Sequence, residues 1–147
     1  MLEGKIKLTN PSDEIADSYL IKSNKSLISS KTLLKIKNYE DATALIYYSM
    51  YYSTLALLFK AGIKSENHVG TIILLMNSFG IDNKEISKAK KERVDKQYYV
   101  EFSATTEEVQ EGIEIAEKFN ARIREQIEKL TNLELDKIRK QLKKDYF

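Results

Sequence analysis

Apolar residues recur along most of the chain at alternating spacings of three and four, which is the pattern of one face of an α-helix. The first stripe follows Asn10 and Pro11, which predict a helix start because asparagine caps helices and proline suits the first turn. Its apolar and small polar members are Ala16, Leu20, Ser23, Leu27, Ser30 and Leu34. The sequence shows no stretch with the alternation of a strand, so we predict an all-α fold, an antiparallel bundle of helices.

The second predicted helix, from about Tyr39 to Ala61, is the most apolar segment of the chain. Its residues Ala42 to Phe59 include no charge, a run of eighteen that only just reaches the length of a membrane span. Four tyrosines lie in the middle of this run, whereas tyrosines of membrane helices favour the interfaces. We therefore predict a central helix that is buried on most sides, followed by Gly62 in the left-handed conformation that ends many helices.

Two shorter helices are predicted next. Ser65 or Asn67 provides a cap for the third helix, and Gly80 ends it. Asn83 opens the fourth helix, which extends to about Val100.

The fifth predicted helix begins at the capping-box pair Thr105 and Glu108. Its seam has the four-three spacing of a bundle helix: Val109, Ile113, Ala116, Asn120, Ile123, Ile127 and Leu130. We interpret Asn120 as a polar core residue that fixes the register. The stretch from Leu133 to Leu142 forms a terminal helix or extends the fifth. We thus divide the chain into a bundle over residues 1–130 and a basic amphipathic helix or extension over residues 131–147.

The composition is that of a globular protein of one domain. Of the 147 residues, 42% are hydrophobic and 31% charged, and five glycines with one proline leave few turns. A net charge of +2 gives no general attraction to nucleic acid or anionic lipid. The chain does not open with the basic and apolar regions of an export signal, so we expect a cytoplasmic protein.

Most catalytic and cofactor motifs are absent from the sequence. Without cysteine there is no disulfide, thiolate nucleophile or thiolate metal site. With a single histidine, His68, a zinc site would rest on carboxylates, and the Glu-x-x-His pairs of di-iron bundles are missing. There is no glycine-rich phosphate loop and no G-x-S-x-G. We predict no cofactor and no metal.

Arg93 lies on the arc of the fourth helix that should face the bundle. At about 100° per residue it shares this arc with Ile86, Ala89, Gln97 and Val100. A guanidinium in that position needs a carboxylate, a phosphate or a second subunit, because desolvation of an unpaired charge is costly. Two interpretations stay open: an arginine whose stem packs while its head reaches water, or an arginine that binds an anion or a subunit.

Two further features have a structural and a functional interpretation. His68, in the first turn of the third helix, is more often a packed neutral histidine than a functional one. The run from Tyr47 to Tyr52 resembles a platform on which bases stack. Such platforms carry interleaved lysines and arginines, and this run has none, so we favour packing in the core and at a subunit interface.

Several segments together resemble the HEPN family (higher eukaryotes and prokaryotes nucleotide-binding). They are Tyr39-x-x-Ala42, the tyrosine run, Leu57-Leu58, Ala61-Gly62-Ile63, His68-Val69-Gly70, the segment from Arg93 to Tyr99, and Ala116-x-x-Phe119. The resemblance covers roughly residues 15 to 130, with the segments in the family's order. It implies an up-and-down bundle of four or five helices that forms a homodimer.

The resemblance also implies a function. Many members are encoded beside a minimal nucleotidyltransferase and form a two-component, often toxin–antitoxin, module with it. Active members are metal-independent ribonucleases whose motif is an arginine followed after four to six residues by histidine. Here Arg93 is followed after four residues by Tyr98, and a tyrosine with a pKa near 10 is a poor proton acceptor. In some related toxins a tyrosine beyond the motif receives nucleotidyl groups, which makes Tyr98 and Tyr99 candidates for modification.

We therefore predict a component of a nucleotidyltransferase-linked module that binds an anionic ligand, a nucleotide or RNA, or a partner, without cutting RNA. The predicted binding residues line a groove at the dimer interface: Arg93, Asp95, Gln97, Tyr98 and Tyr48. One alternative is a ribonuclease that uses Arg93 with His68 or Tyr98 from the facing subunit. The other is a dimeric scaffold without a ligand.

Overall fold

Six α-helices and one two-stranded sheet make up the described part of the chain. The computed structural model describes residues 6–98 and 104–147, with the backbone alone for residues 94–98. The helices are α1 (Asp13–Lys35), α2 (Tyr39–Lys60), α3 (His68–Phe79), α4 (Lys84–Tyr98), α5 (Thr106–Lys129) and α6 (Asn132–Tyr146). The strands are β1 (Ile6–Leu8) and β2 (Ile63–Ser65). The predicted all-α bundle is confirmed.

Helix α2 is the central helix of this bundle. It packs against α1, α5, α4 and α3, and its buried residues lie on all of its sides. Its length and composition would also allow it to cross a membrane, but 72% of its most apolar window is buried inside the protein. This burial is that of a core helix and is consistent with a soluble protein.

Most predicted helix ends are confirmed. Asn67 and Thr105 cap α3 and α5 through their side chains, and Gly62 and Gly80 adopt left-handed φ values of +71° and +67°. The predicted cap of α1 is wrong, since the cap is Ser12 rather than Asn10. The Ser12 Oγ accepts a hydrogen bond from the Ile15 backbone N–H (3.1 Å), which places the proline before the helix instead of in its first turn.

The small sheet contradicts the expectation that the chain has no strands. β1 and β2 pair antiparallel, with Ile6 opposite Ser65 and Leu8 opposite Ile63. Each strand has three residues, too few to show a period of two in the sequence. The sheet contributes to the core, because Ile6 and Ile63 are both buried within it.

Asn120 is a polar core residue, as predicted. The Ser53 Oγ on α2 donates to the Asn120 Oδ1 on α5 (2.8 Å), and the Asn120 Nδ2 donates to the Ser49 Oγ (3.4 Å). The Ser23 Oγ on α1 donates to the Ser49 carbonyl (2.6 Å). These hydrogen bonds connect three helices at one level, and any sliding of α5 along α2 would break them.

The last stretch forms a separate helix, α6, rather than an extension of α5. Leu135 and Leu142 of α6 are buried. The Arg139 Nη1 donates to the carbonyls of Thr9 (2.8 Å), Ala61 (3.0 Å) and Gly62 (2.9 Å), so one guanidinium joins α6 to the end of α2 and to the segment after β1.

The two left-handed glycines provide a matched test of this junction. We expect Gly80→Ala to lower the free energy of unfolding by about 1–2 kcal/mol, the cost of a left-handed L-residue, because its added Cβ meets open space. Gly62→Ala should cost about 1–3 kcal/mol more, because its Cβ would collide with the Thr9 carbonyl, the Pro11 nitrogen and the Arg139 guanidinium. Urea denaturation measures both, and equal losses would contradict this account of Gly62.

Candidate functional site

The tyrosine run of α2 divides between the core and the surface. Tyr47 and Tyr51, four residues apart, are both buried, and their ring centroids lie 5.9 Å apart. Tyr48 and Tyr52 form a second such pair at 5.9 Å and are half-buried. The predicted core packing is confirmed for the first pair, while the second pair reaches the surface.

His68, the first residue of α3, packs against these tyrosines. The centroid of its ring lies 4.0 Å from the ring centroid of Tyr51, with an angle of 15° between the ring planes. The Tyr47 hydroxyl and the His68 Nδ1 are hydrogen-bonded at 2.7 Å, and either can be the donor. The Asn67 side chain caps the backbone of α3 by accepting a hydrogen bond from the Gly70 N–H. This cap fixes the start of the helix, and therefore the position of His68 as its first residue.

Arg93 reaches the same tyrosines from α4. Its Nη1 donates to the Tyr48 hydroxyl (2.9 Å). Its Cζ lies 5.4 Å from the ring centroid of Tyr47 and 5.2 Å from that of Tyr48, within the range of cation–π attraction. We call Arg93, His68, Tyr47, Tyr48 and Tyr51 the Arg93–His68 cluster.

The charges around His68 favour its neutral form. Burial lowers the pKa of His68, and the positive charges of Arg93 and Lys90 lower it further. Burial likewise raises the pKa of Tyr47, so its phenol keeps its proton at neutral pH. The cluster therefore combines a permanent cation with an uncharged imidazole that can accept or donate a proton.

A groove of about 440 Å³ opens beside the cluster, between α3 and α4. Its lining has three apolar side chains of α3, three polar or charged side chains of α4, and the asparagine that precedes α4. These residues are Val69, Ile72 and Ile73, then Ser87, Lys90 and Lys91, and Asn83. His68 precedes the first of these residues, and Lys90 lies three residues before Arg93 on α4. The groove and the cluster are thus neighbours.

The structure brings three of the predicted site residues together: Arg93, His68 and Tyr48. The side chains of Asp95, Gln97 and Tyr98, and all of Tyr99, lie outside the described residues. The sequence interpretation did not identify Tyr47, Tyr51 or Lys90 as site residues. Helical spacing would have related Lys90 to Arg93 and Tyr47 to Tyr51, but nothing in the sequence indicates which helix α4 contacts.

The cations that the tyrosine run lacks come from other helices. Arg93 covers Tyr47 and Tyr48, and the Lys22 Nζ of α1 lies 4.9 Å from the ring centroid of Tyr52. Among the side chains that the structure describes, those of residues 6–93 and 104–147, no three histidine, aspartate or glutamate side chains are grouped as a metal site would need.

A comparison with protein families agrees with this architecture. The family model described as the HEPN domain matches residues 16–130. Among curated proteins, none matches the chain at a significant level.

The single histidine allows a direct test of the cluster's electrostatics. We expect an NMR titration to give His68 a pKa below the ordinary value of about 6.5, because burial and two nearby cations disfavour the imidazolium. Arg93→Ala should raise this pKa, and Lys90→Ala should raise it less. Lys118→Ala, at an exposed position on α5, is the control and should leave it unchanged. A His68 pKa that does not respond to Arg93→Ala would refute the proposed electrostatic contact.

Proposed function

Because the chain belongs to the HEPN family and its Arg93 and its single histidine lie in one cluster, we propose that it binds an anionic ligand, a nucleotide or RNA, through the Arg93–His68 cluster. Membership of the family supports a nucleotide- or RNA-related role. The observation that carries the proposal is the placement of the Arg93 guanidinium against two tyrosine rings.

The geometry of Arg93 suits anion binding. The Tyr48 hydroxyl and the two rings fix the orientation of the planar guanidinium, which reduces the entropy lost when a phosphate binds. The half-buried position strengthens its electrostatic attraction relative to an arginine in bulk water. Lys90 adds a second positive charge near His68, and a phosphate would offset the repulsion between these groups.

One alternative has its own supporting observation. Arg93 and His68 contact the same tyrosines, and a neutral imidazole can act as a general base, so a metal-independent ribonuclease that uses this pair is the second candidate. The spacing of the arginine and histidine in the sequence argues against it, since His68 lies before Arg93 and Tyr98 takes the expected place of the histidine.

We also propose a homodimer, in keeping with a family whose domains often function as dimers. The sequence predicted that the tyrosine run of α2 packs at a subunit interface as well as in the core, but α2 is largely covered within one chain. A different surface supports the dimer. Three exposed isoleucines lie on one side of α1, opposite its buried residues, and a fourth directly follows the helix: Ile15, Ile21 and Ile28, and then Ile36. The nucleotidyltransferase partner, and Tyr98 and Tyr99 as acceptors of nucleotidyl groups, remain proposals from the resemblance.

Substitution of Arg93 tests the binding function. Arg93→Ala should weaken binding of a fluorescein-labelled single-stranded RNA at least tenfold, and Arg93→Lys should restore only part of it, because an ammonium lacks the bidentate geometry. Loss of the cation–π contact and the Tyr48 hydrogen bond should lower the free energy of unfolding by about 1–2 kcal/mol. Fluorescence anisotropy and urea denaturation measure the two effects.

The control for this experiment is Arg122→Ala, which removes the same charge from an exposed position on α5. It should change RNA affinity less than twofold. Light scattering of every variant should give twice the 17.0 kDa of one chain, so that a change in assembly is not mistaken for a change in binding. A loss of about 3–5 kcal/mol in Arg93→Ala without a separate binding defect would make Arg93 structural and favour the scaffold.

The same proteins test the ribonuclease alternative. We expect the purified protein to leave labelled RNA intact in the presence of EDTA, because the spacing between arginine and histidine in active relatives is absent. Cleavage that is lost in both Arg93→Ala and His68→Ala would establish the ribonuclease instead. Cleavage that is lost in Arg93→Ala but kept in His68→Ala would exclude His68 as the base and direct attention to Tyr98.

A further inference from the structure

The groove between α3 and α4 has two chemically different sides. Val69, Ile72 and Ile73 of α3 form an apolar wall, and Val69 is 56% exposed. The opposite wall belongs to α4 and the residue before it, and its Lys90 and Lys91 place two ammonium groups at the edge. A ligand that matches both walls has a flat or apolar body and a negatively charged end.

The polar groups of the groove restrict the class of ligand further. The Asn83 Nδ2 donates to the Ile72 carbonyl (3.0 Å), which fixes the orientation of the amide and makes its Oδ1 the atom that can accept from an amino group. The Ser87 hydroxyl, on the same wall, can both donate and accept. An acyl chain would use neither group, whereas a nucleobase has an apolar face for α3 and polar edges for Asn83 and Ser87.

Lys90 relates the groove to the Arg93–His68 cluster. It lines the groove, and its charge acts on His68 and lowers the pKa of the imidazole. Val69 of the groove also follows His68 directly in α3. A ligand whose body lies in the groove can therefore place its charged end at Lys90, on the side of His68. The volume of about 440 Å³ is in the range of sites for single small ligands.

We propose that this groove is a base-binding subsite: it holds the base of one nucleotide against Val69, Ile72 and Ile73, while the phosphate lies at Lys90 and the Arg93–His68 cluster. The proposal rests on the proposed function, since it assigns the phosphate to the same cluster. It adds that the ligand is recognised by its base as well as by its charge.

NMR of the isoleucine methyl groups, with AMP and ribose 5-phosphate as probes, tests the subsite. AMP should shift the methyl signals of Ile72 and Ile73, because the ring current of a bound base acts on groups in contact with it. Ribose 5-phosphate, which has the same charge and no base, should leave these signals in place while it shifts the ring signals of His68. Ile123, buried on α5 and not part of the groove, is the internal reference that neither probe should move.

Two substitutions then fill the groove. Ile73→Trp and Val69→Trp should each weaken AMP binding at least fivefold, towards the affinity of ribose 5-phosphate, and should leave the affinity for ribose 5-phosphate unchanged. Val69 is exposed, so its variant keeps the test valid if Ile73→Trp lowers the stability of the fold. The matched control is Leu133→Trp, which adds the same side chain at an exposed position on α6, outside both the groove and the proposed dimer face, and should bind AMP like the unmodified protein.

Failure of the subsite differs from failure of the proposed function. If AMP shifts His68 but neither Ile72 nor Ile73, or if both groove-filling variants bind AMP normally, the base lies elsewhere and the anion site at the cluster stands. If neither probe shifts His68 and labelled RNA does not bind, the proposed function fails and the subsite fails with it.

Discussion

The burial of α2 on nearly all of its sides is the constraint on which the rest of the structure depends. Its apolar residues need cover from several helices, and its serine and tyrosine hydroxyls need partners wherever that cover excludes water. The Ser49 and Ser53 hydroxyls bond to carbonyls within α2 and also to Asn120 of α5, and the Tyr47 hydroxyl bonds to His68 of α3. The polar groups of one helix thus link it to two others.

The candidate site is a consequence of the same burial. The tyrosines of α2 that the other helices leave partly exposed form a surface of ring faces and hydroxyls, and Arg93 packs against this surface. The fold thereby holds Arg93, Lys90 and His68 close together and keeps the imidazole neutral. A bound anion would offset the positive charges of Arg93 and Lys90, which is the physical reason to propose the cluster as a binding site rather than as packing alone.

Local signals explain which parts of the fold were predictable. Helical spacing located α1 to α5 and left open whether α6 is a separate helix, and Asn67, Gly80 and Thr105 marked ends that depend on the conformation of a few consecutive residues. The errors arose where a choice was not local. Asn10 and Ser12 were both competent caps, and the three-residue strands form only because β1 runs beside β2 in the folded chain.

The sequence by itself determined the helices and the available chemistry: no thiolate, one histidine, and an arginine on the inward arc of α4. It did not determine which residues share a site. Tyr48, His68 and Arg93 stand on three helices separated by turns, and no local spacing reports their distances. Only the tertiary structure decided that they meet, that the charge of Lys90 acts on His68, and that a groove opens between α3 and α4, because contact and desolvation depend on how whole helices pack around α2.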